Sequence, residues 1–298
     1  MRVFVTGATG YIGSAVVQAF QKAGHDVTGL VRSAEKEAAL RAMGARIVRG
    51  SIKEPGTYEN AAREHDALIH TAFDSGSDGV TADRTAIETL LSAARGASTP
   101  RVLVYASGVW VLGNTGSSPA TESASTERAP PIVAWRPGHE RKVLQAASSN
   151  LITVVIRSCN VYGDKGGLVS PDFERAAKEG AASYVGAGEN HWSLVHRDDL
   201  ARLYLMIVER RGSGIFHGVD GHPLRVAEIA KAISEAAGQG GKTRSIPIEL
   251  ARRQLGPVAD ALCLDQLVIA PRSTELGWKP AHRDFLSSVQ AAYREWVS

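Results

Sequence analysis

Two cysteines in 298 residues, Cys159 and Cys263, are too few and too far apart for a disulfide framework or a thiolate metal site, and read as free thiols of a reducing compartment. No apolar run approaches the roughly 20 residues of a membrane-spanning helix. No basic and apolar leader precedes the first strand pattern at Arg2. A cytoplasmic protein with no membrane partner is expected. Charge of one sign is also missing: 34 Lys and Arg are interspersed with 31 Asp and Glu, for a net charge of +3. No basic block or stripe is present to grip a phosphate backbone, which argues against a nucleic-acid partner. The chain contains no H-E-x-x-H, and His191 and His196 are five apart rather than the four of a helical zinc pair. It has no G-x-x-x-x-G-K-[ST] loop, and Ser107 is not set in a G-x-S-x-G elbow. No metal, ATPase or hydrolase chemistry is expected.

What is present begins at residue 2. Val3, Phe4 and Val5 form an unbroken apolar run, as in a strand covered on both faces. Gly7, Gly10 and Gly13 follow, and then apolar Ala15, Val16, Ala19, Phe20 and Ala23 recur at helical spacing up to Gly24. Strand, glycine turn and helix together make a dinucleotide fingerprint. Gly7 allows the tight turn, Gly10 lets a pyrophosphate approach the backbone, and Gly13 lets the helix pack closely. The free N–H groups of the helix N-terminus then face the phosphates.

Further strand patterns at 26–32, 46–49, 66–71, 101–106 and 151–157 alternate with helical stretches at 34–43, 55–63, 81–95 and 134–148. That alternation predicts an α/β fold, a Rossmann-type doubly wound parallel sheet with its ligand at the carboxyl ends of the strands. Beyond Arg157 the pattern becomes irregular. Residues 214–219 read as one more strand of the main sheet, and 225–237 and 284–296 as amphipathic helices. The expected division is a dinucleotide-binding domain, 1–157 plus 196–220, and a smaller discontinuous substrate-side domain, 158–195 plus 221–298. The Ser-, Thr-, Gly- and Pro-rich stretch 113–131 is long for a linker; it reads as a lid or pocket wall, or as a surface loop.

The stretches VFVTGATGYIGSAVV at 3–17, DALIHTAF at 66–73, VLVYASGVWVLG at 102–113, VVIRSCNVYG at 154–163 and HWSLVHRDDLARLY at 191–204 resemble, in order, the extended or atypical extended short-chain dehydrogenases/reductases of the NAD-dependent epimerase/dehydratase type. The resemblance implies Gly7, Thr9, Gly10, Tyr11, Ile12 and Gly13 at the pyrophosphate, with Thr71, Ala72 and Phe73 lining the cofactor beyond the fourth strand. Ser107 matches the family's catalytic Ser/Thr. Tyr162 lies in the loop entering the nicotinamide side, and a homodimer is the family expectation. Gly50, Ser51 and Ile52 stand where such proteins commonly have an adenine-contacting Asp, and Ser51 still offers a hydroxyl.

The family's Tyr-x-x-x-Lys pair is absent, since no tyrosine occurs between Tyr105 and Tyr162. Aligning the helix through Glu140 puts Ile132 and Arg136 at the two positions; spacing alone gives Trp135 and His139. Arg136 can serve as a fixed cation at the nicotinamide ribose but not as a tunable acid. Ser107 is the expected substrate hydrogen-bond donor. Tyr162 and His139 are the candidate replacement acids, although no partner for His139 is visible in the sequence. Trp110, His191 and Trp192 read as pocket walls.

Arg32 and Ser33 close the second strand, 19 residues beyond Gly13. An acidic residue there selects NAD(H), whereas an Arg accommodates the 2′-phosphate of NADP(H). With no acidic neighbour in sequence, Arg32 points to NADP(H) over NAD(H). The expected function is an NADP(H)-dependent oxidoreductase or epimerase acting on a small polar or glycosylated molecule. A dinucleotide-binding sensor or scaffold, or a non-redox isomerase or lyase on the same fold, is the alternative.

Overall fold

The computed structural model describes residues 1–95 and 99–298. In chain order the first half runs β1 (Arg2–Thr6), α1 (Tyr11–Lys22), β2 (Asp26–Val31), α2 (Ala34–Ala42), β3 (Arg46–Arg49), α3 (Glu59–Ala62), β4 (Ala67–His70), α4 (Gly79–Ala94), β5 (Arg101–Gly108), α5 (Arg136–Gln145) and β6 (Leu151–Ser158). The second half runs β7 (Asn160–Tyr162), α6 (Ser170–Glu179), β8 (Ala182–Val185), β9 (His191–Trp192), β10 (Leu194–His196), α7 (Arg197–Glu209), β11 (Gly214–Gly218), β12 (Leu224–Arg225), α8 (Val226–Ala236), β13 (Thr243–Ile246), α9 (Ile248–Leu255), α10 (Val258–Leu262), α11 (Pro271–Glu275) and α12 (Phe285–Val297).

Seven strands form the main sheet in the order β11-β6-β5-β4-β1-β2-β3. The pairs from β3 through β5 are all parallel, with Val3 opposite Val27 and Ala67, and Ala67 opposite Val102. This is the Rossmann-type doubly wound α/β fold. Strands β1, β4 and β5 read as continuous apolar runs because both sheet faces are covered; Phe4, Leu68 and Leu103 are at most 1% exposed. The stretch expected as a helix at 55–63 divides into a 3₁₀ turn at Pro55–Thr57 and the single-turn α3, because Pro55 pre-sets the turn and Gly56 weakens a longer helix.

The chain separates into two compact units. Unit 1 comprises Met1–Ser107, Gly138–Ile156 and Ala201–Phe216; unit 2 comprises Gly108–Pro137, Arg157–Leu200 and His217–Ser298. In unit 1, helices α3 and α4 close over β3, β4 and β5 around Phe4, Tyr58, Leu90 and Tyr105. In unit 2, α6, α8 and α12 pack around Phe173, Ile229, Ile233, Phe285 and Val289. Asp284 caps α12 by accepting from the Ser287 N–H at 2.8 Å.

The long stretch 113–131 is neither a free lid nor a loose surface loop. Ala120 bridges Val268, and Thr115 donates its N–H to the Asp265 carbonyl at 3.0 Å, while Leu267 N–H returns to Thr115 Oγ1 at 2.8 Å. Backbone pairing pins this segment to 265–269 within unit 2, a constraint that its polar composition conceals.

Buried acids in unit 2 set a pH signature. Asp220 is 7% exposed, and one of its oxygens accepts the His222 N–H at 2.9 Å while the other has no partner. Burial, aided by the nearby Asp284 and Asp199 carboxylates, raises its pKa from 3.8 to about 7. Between those values the folded chain holds this proton more tightly than the unfolded chain, so its contribution to stability falls as pH rises across that window. His217 acts in the opposite sense, because burial lowers it to about 4. Asp220→Asn isolates the Asp220 part. The variant should melt a few degrees above wild type at pH 8, where the desolvated carboxylate is removed, and with no advantage at pH 5; thermal melts at both pH values check this.

Candidate active site

Unit 1 holds a cavity of about 370 Å³ beyond the ends of β1, β2 and β4. Its floor is the glycine turn. Gly7 has φ +72°, and a Cβ there would lie 2.6 Å from Ala72 N. A Cβ on Gly13 would meet the Gly7 carbonyl oxygen at 2.0 Å and Thr71 Oγ1 at 2.7 Å. Thr71 is locked in that position by donating its hydroxyl to the Thr6 carbonyl at 2.8 Å. Gly10 differs: a Cβ on it meets only the Gly7 oxygen, at 3.1 Å, so the space it keeps clear is the cavity itself. Gly10 also caps α1 without any side-chain hydrogen bond. A helix N-terminus that no side chain covers suits an anion, and the cradle fits the pyrophosphate of a dinucleotide.

Of the residues expected at the cofactor, Gly7, Thr9, Gly10, Tyr11, Ile12, Gly13, Arg32, Ile52, Thr71, Ala72 and Phe73 line this cavity. Ser33 and Ser51 do not. Ser33 occupies the N-cap of α2, and Ser51 Oγ accepts the Lys53 N–H at 3.2 Å, closing its own turn. Arg136 belongs to unit 2, where its guanidinium lies 4.4 Å from the Trp135 ring centroid. Gly50, beside Ile52, also lines the cavity, as do Lys36 and Asp74, which were not anticipated.

Asp74 corrects the reading of Arg32 as a cation without an acidic neighbour. Arg32 Nη1 lies 3.3 Å from Asp74 Oδ2. Asp74 comes from the loop after β4, 42 residues away in sequence, so the contact could not be read locally. Its carboxyl is held below the usual range, first by the Gly76 N–H and then by Lys53. Lys53 also bridges to Asp78 at 2.8 Å. The exposed Arg32–Asp74 pair is of a kind that contributes little by itself, so a competing anion can displace it.

The interior of unit 1 carries a second polar assembly. Asp83, on α4, is 1% exposed. It accepts the Tyr105 hydroxyl at 2.8 Å and lies 2.7 Å from His139 Nδ1; His70 Nε2 stands 3.3 Å away, and His70 Nδ1 bonds Thr6 Oγ1 at 2.6 Å. His139 is thus tied to a buried carboxylate, which corrects the expectation of a partnerless helical histidine and of a free surrogate acid. One residue on, Glu140 is 2% exposed and accepts the Ser107 hydroxyl at 2.5 Å. Ser107 sits at the carboxyl end of β5, beside β4, whose continuation Thr71–Phe73 walls the cavity. Glu140 went unnoticed as a site residue. A signal was available: Glu140, Val143 and Leu144 share one helix face, and a carboxylate on an apolar face is buried for a reason.

Tyr162 does not fit the role of replacement acid. It lies in the core of unit 2, fully buried, edge-on to Phe285 at 5.0 Å and to His196 at 5.2 Å. Burial pushes its phenol well above the usual range, where it is a poor proton donor. His196, Asp199 and His282 present ligand atoms within 4.8 Å of one another. Asp199 already accepts the Ala281 and His282 N–H groups and faces His282 Nδ1, all at 2.9 Å, so it acts as a strut for that loop. His191 faces Asp265 at 2.8 Å, and Trp192 Nε1 donates to the Leu262 carbonyl at 3.1 Å.

Among the described residues no helix is long and apolar enough to cross a membrane. Residues 3–217 match the profile of the NAD dependent epimerase/dehydratase family. The chain is 33% identical over 302 residues to an uncharacterised protein of Schizosaccharomyces pombe, covering 97% of this chain and 98% of that one. It is 25% identical over 280 residues to a 2-alkyl-3-oxoalkanoate reductase of Stenotrophomonas maltophilia, covering 88% and 83%. A human epimerase family protein crystallised with NADPH shares the fold at a TM-score of 0.80 and 19% identity over 99% of both chains. With the fingerprint cradle in place and the family profile matched over most of its length, this chain belongs to the NAD-dependent epimerase/dehydratase family of extended short-chain dehydrogenases/reductases, and is an NAD(P)-dependent oxidoreductase or epimerase.

Proposed function

We propose that the protein is an NADPH-dependent carbonyl reductase in which Glu140 and Ser107 together supply the proton that the missing tyrosine gives in its relatives. The observation that carries this reading is the buried 2.5 Å hydrogen bond from Ser107 to Glu140 at the end of β5. Kinship to a reductase of a 3-oxoalkanoate supports a ketone, or the corresponding secondary alcohol, as the reacting group.

A reduced dinucleotide held at Gly7, Gly10, Gly13 and Arg32 would supply the carbonyl carbon with a hydrogen and two electrons. Ser107 gives its hydroxyl proton to the carbonyl oxygen. For this the bond seen in the structure reverses: Glu140 first takes up one proton from water, then donates it to Ser107 Oγ and is left as the carboxylate that accepts the serine hydroxyl. In the oxidative direction the same chain runs backwards: Ser107 accepts the alcohol proton while donating its own to Glu140. A serine alone is too weak an acid for this work; a carboxyl group behind it makes the pair a proton relay. Arg32 and Lys36 favour the 2′-phosphate of NADPH against the single opposing carboxylate of Asp74.

Three outcomes are expected. With a panel of 3-oxoalkanoates and aliphatic methyl ketones, followed by NADPH absorbance, Glu140→Gln should lower kcat by about 10²–10⁴, since it keeps an acceptor but cannot pass a proton. Ser107→Ala should cost about 10², and the double variant should be no worse than the more damaging single, because the two act as one unit. Unchanged NADPH affinity in all three accompanies the expected result; unchanged kcat in the singles would place the reacting centre elsewhere.

In calorimetric titrations, Arg32→Ala should weaken NADPH about tenfold or more, the worth of a charge-assisted bond, and leave NADH nearly unaffected. Asp74→Asn should tighten NADPH. Equal responses of both cofactors would remove the argument for NADPH. Gly10→Val should retain the fold, given the open space around it, and lose binding of both cofactors; retained binding would make the fingerprint purely structural.

A further inference from the structure

Unit 2 contains a second cavity, of about 500 Å³, that the proposed reaction does not use. It opens where the two-stranded β8–β13 sheet meets α9 and α10. On one side of that sheet the core of unit 2 is thick, built on Phe173, Ile229 and Phe285. On the other it is thin, a small cluster of buried Val185, Ala251 and Ala259 with Ile246 and Leu262 partly buried against them. The remaining apolar wall is Leu168, Tyr184 and Trp192, and the rim is formed by Leu250 and Leu255, which are 38% and 46% exposed. Two large aliphatic side chains on one eight-residue helix thus border an unfilled apolar hollow.

The arginines around the hollow already have partners. Arg175 lies 3.6 Å from Asp172 and also donates to Ser183 Oγ at 2.5 Å; Arg244 lies 3.3 Å from Glu179. The Asp172 side chain is 14% exposed, and burial raises it to about 7 despite Arg175. Near neutrality it offers both a hydroxyl donor and an acceptor oxygen. A volume of this size is that of an ordinary small-molecule pocket, and its mostly apolar lining with a few convergent polar groups is the usual make-up of one.

We infer that this cavity binds an uncharged small molecule with an aliphatic or aromatic body, seated among Trp192, Val185 and Leu255, and one hydroxyl, carbonyl or amide group directed at Asp172 and Ser183. A nucleoside diphosphate does not suit it, because both arginines are already engaged, Arg175 by Ser183 and Asp172 and Arg244 by Glu179. This inference stands apart from the Ser107–Glu140 relay and is tested without cofactor or turnover.

The experiment titrates the full chain with hexanol, octanol and decanol by calorimetry, and follows tryptophan emission in parallel. Affinity should rise about fourfold per added methylene, the increment for burying a CH₂ group. The emission change should vanish in Trp192→Phe. Leu255→Glu and Leu250→Asp, at exposed positions, should each weaken decanol at least tenfold while melting temperature and NADPH binding stay at wild-type values. Uridine diphosphate should neither bind in competition with decanol nor alter the Trp192 signal. Affinity independent of chain length, undiminished decanol binding in both rim variants, or displacement of decanol by uridine diphosphate would each overturn the assignment.

Discussion

A single buried carboxylate, Asp83, holds the working end of unit 1 together. It reaches Tyr105 on β5, His139 on α5 and His70 on β4 from its place on α4, so four elements meet at one side chain. A carboxylate taken out of water costs several kcal/mol unless its oxygens are served, and here Tyr105 and His139 serve it from different elements, with His70 at ion-pair distance. That makes the arrangement directional in a way apolar packing is not: shifting any one element would strand the charge. Glu140 follows His139 directly in α5. The bond that fixes His139 therefore also bears on the approach of Glu140 to Ser107, and the geometry of the proposed relay depends on Asp83.

The cofactor cavity is built by the opposite device, the absence of side chains. At Gly7 and Gly13 backbone stands where a Cβ would go, whereas at Gly10 a Cβ would meet only the Gly7 oxygen, at 3.1 Å, and otherwise project into the cavity. The first two hold the β1–α1 turn against the end of β4; the third leaves room for a ligand. Around this rigid turn the charges are adjustable. Arg32, Lys53, Asp74 and Asp78 form a chain of exposed pairs, which a bound phosphate can rearrange at small cost. The glycine turn is rigid and the charges beside it are loose, so the second can vary without disturbing the first.

Much of the fold was legible because the relevant signals are local. Val3–Val5 show a strand covered on both faces, the Gly7–Gly13 spacing shows the turn, and the alternation of the first half shows the parallel sheet. The site was legible where it, too, is local: nearly every cavity residue drawn from the fingerprint and from 71–73 does line the cavity. What was missed is non-local. Asp74 meets Arg32 across 42 residues, Glu140 meets Ser107 across 33, and Asp83 meets His139 across 56. Each pair joins a residue with a recognisable role to a carboxylate whose importance is created only by the crossovers of the sheet. Tyr162 failed for a related reason. A tyrosine in a matching motif reads the same whether its ring faces a ligand or, as here, Phe285.

The buried acids of the two units differ in how their burial is compensated. Asp83 and Glu140 are nearly inaccessible and accept hydroxyl groups from Tyr105 and Ser107 respectively. Asp220 has one oxygen without a partner, and Asp172 has its arginine only at 3.6 Å. In the second pair, poorly compensated burial is relieved by protonation, and both are raised to about 7. A protonated carboxyl can donate a hydrogen bond as well as accept one, which an arginine-neutralised carboxylate cannot. The under-service of Asp172 is thus what equips an otherwise apolar cavity to orient an uncharged polar group. The service of Asp83 by Tyr105 and His139 is what makes it a fixed post rather than a participant. The same residue type is put to opposite uses by how the fold compensates its burial.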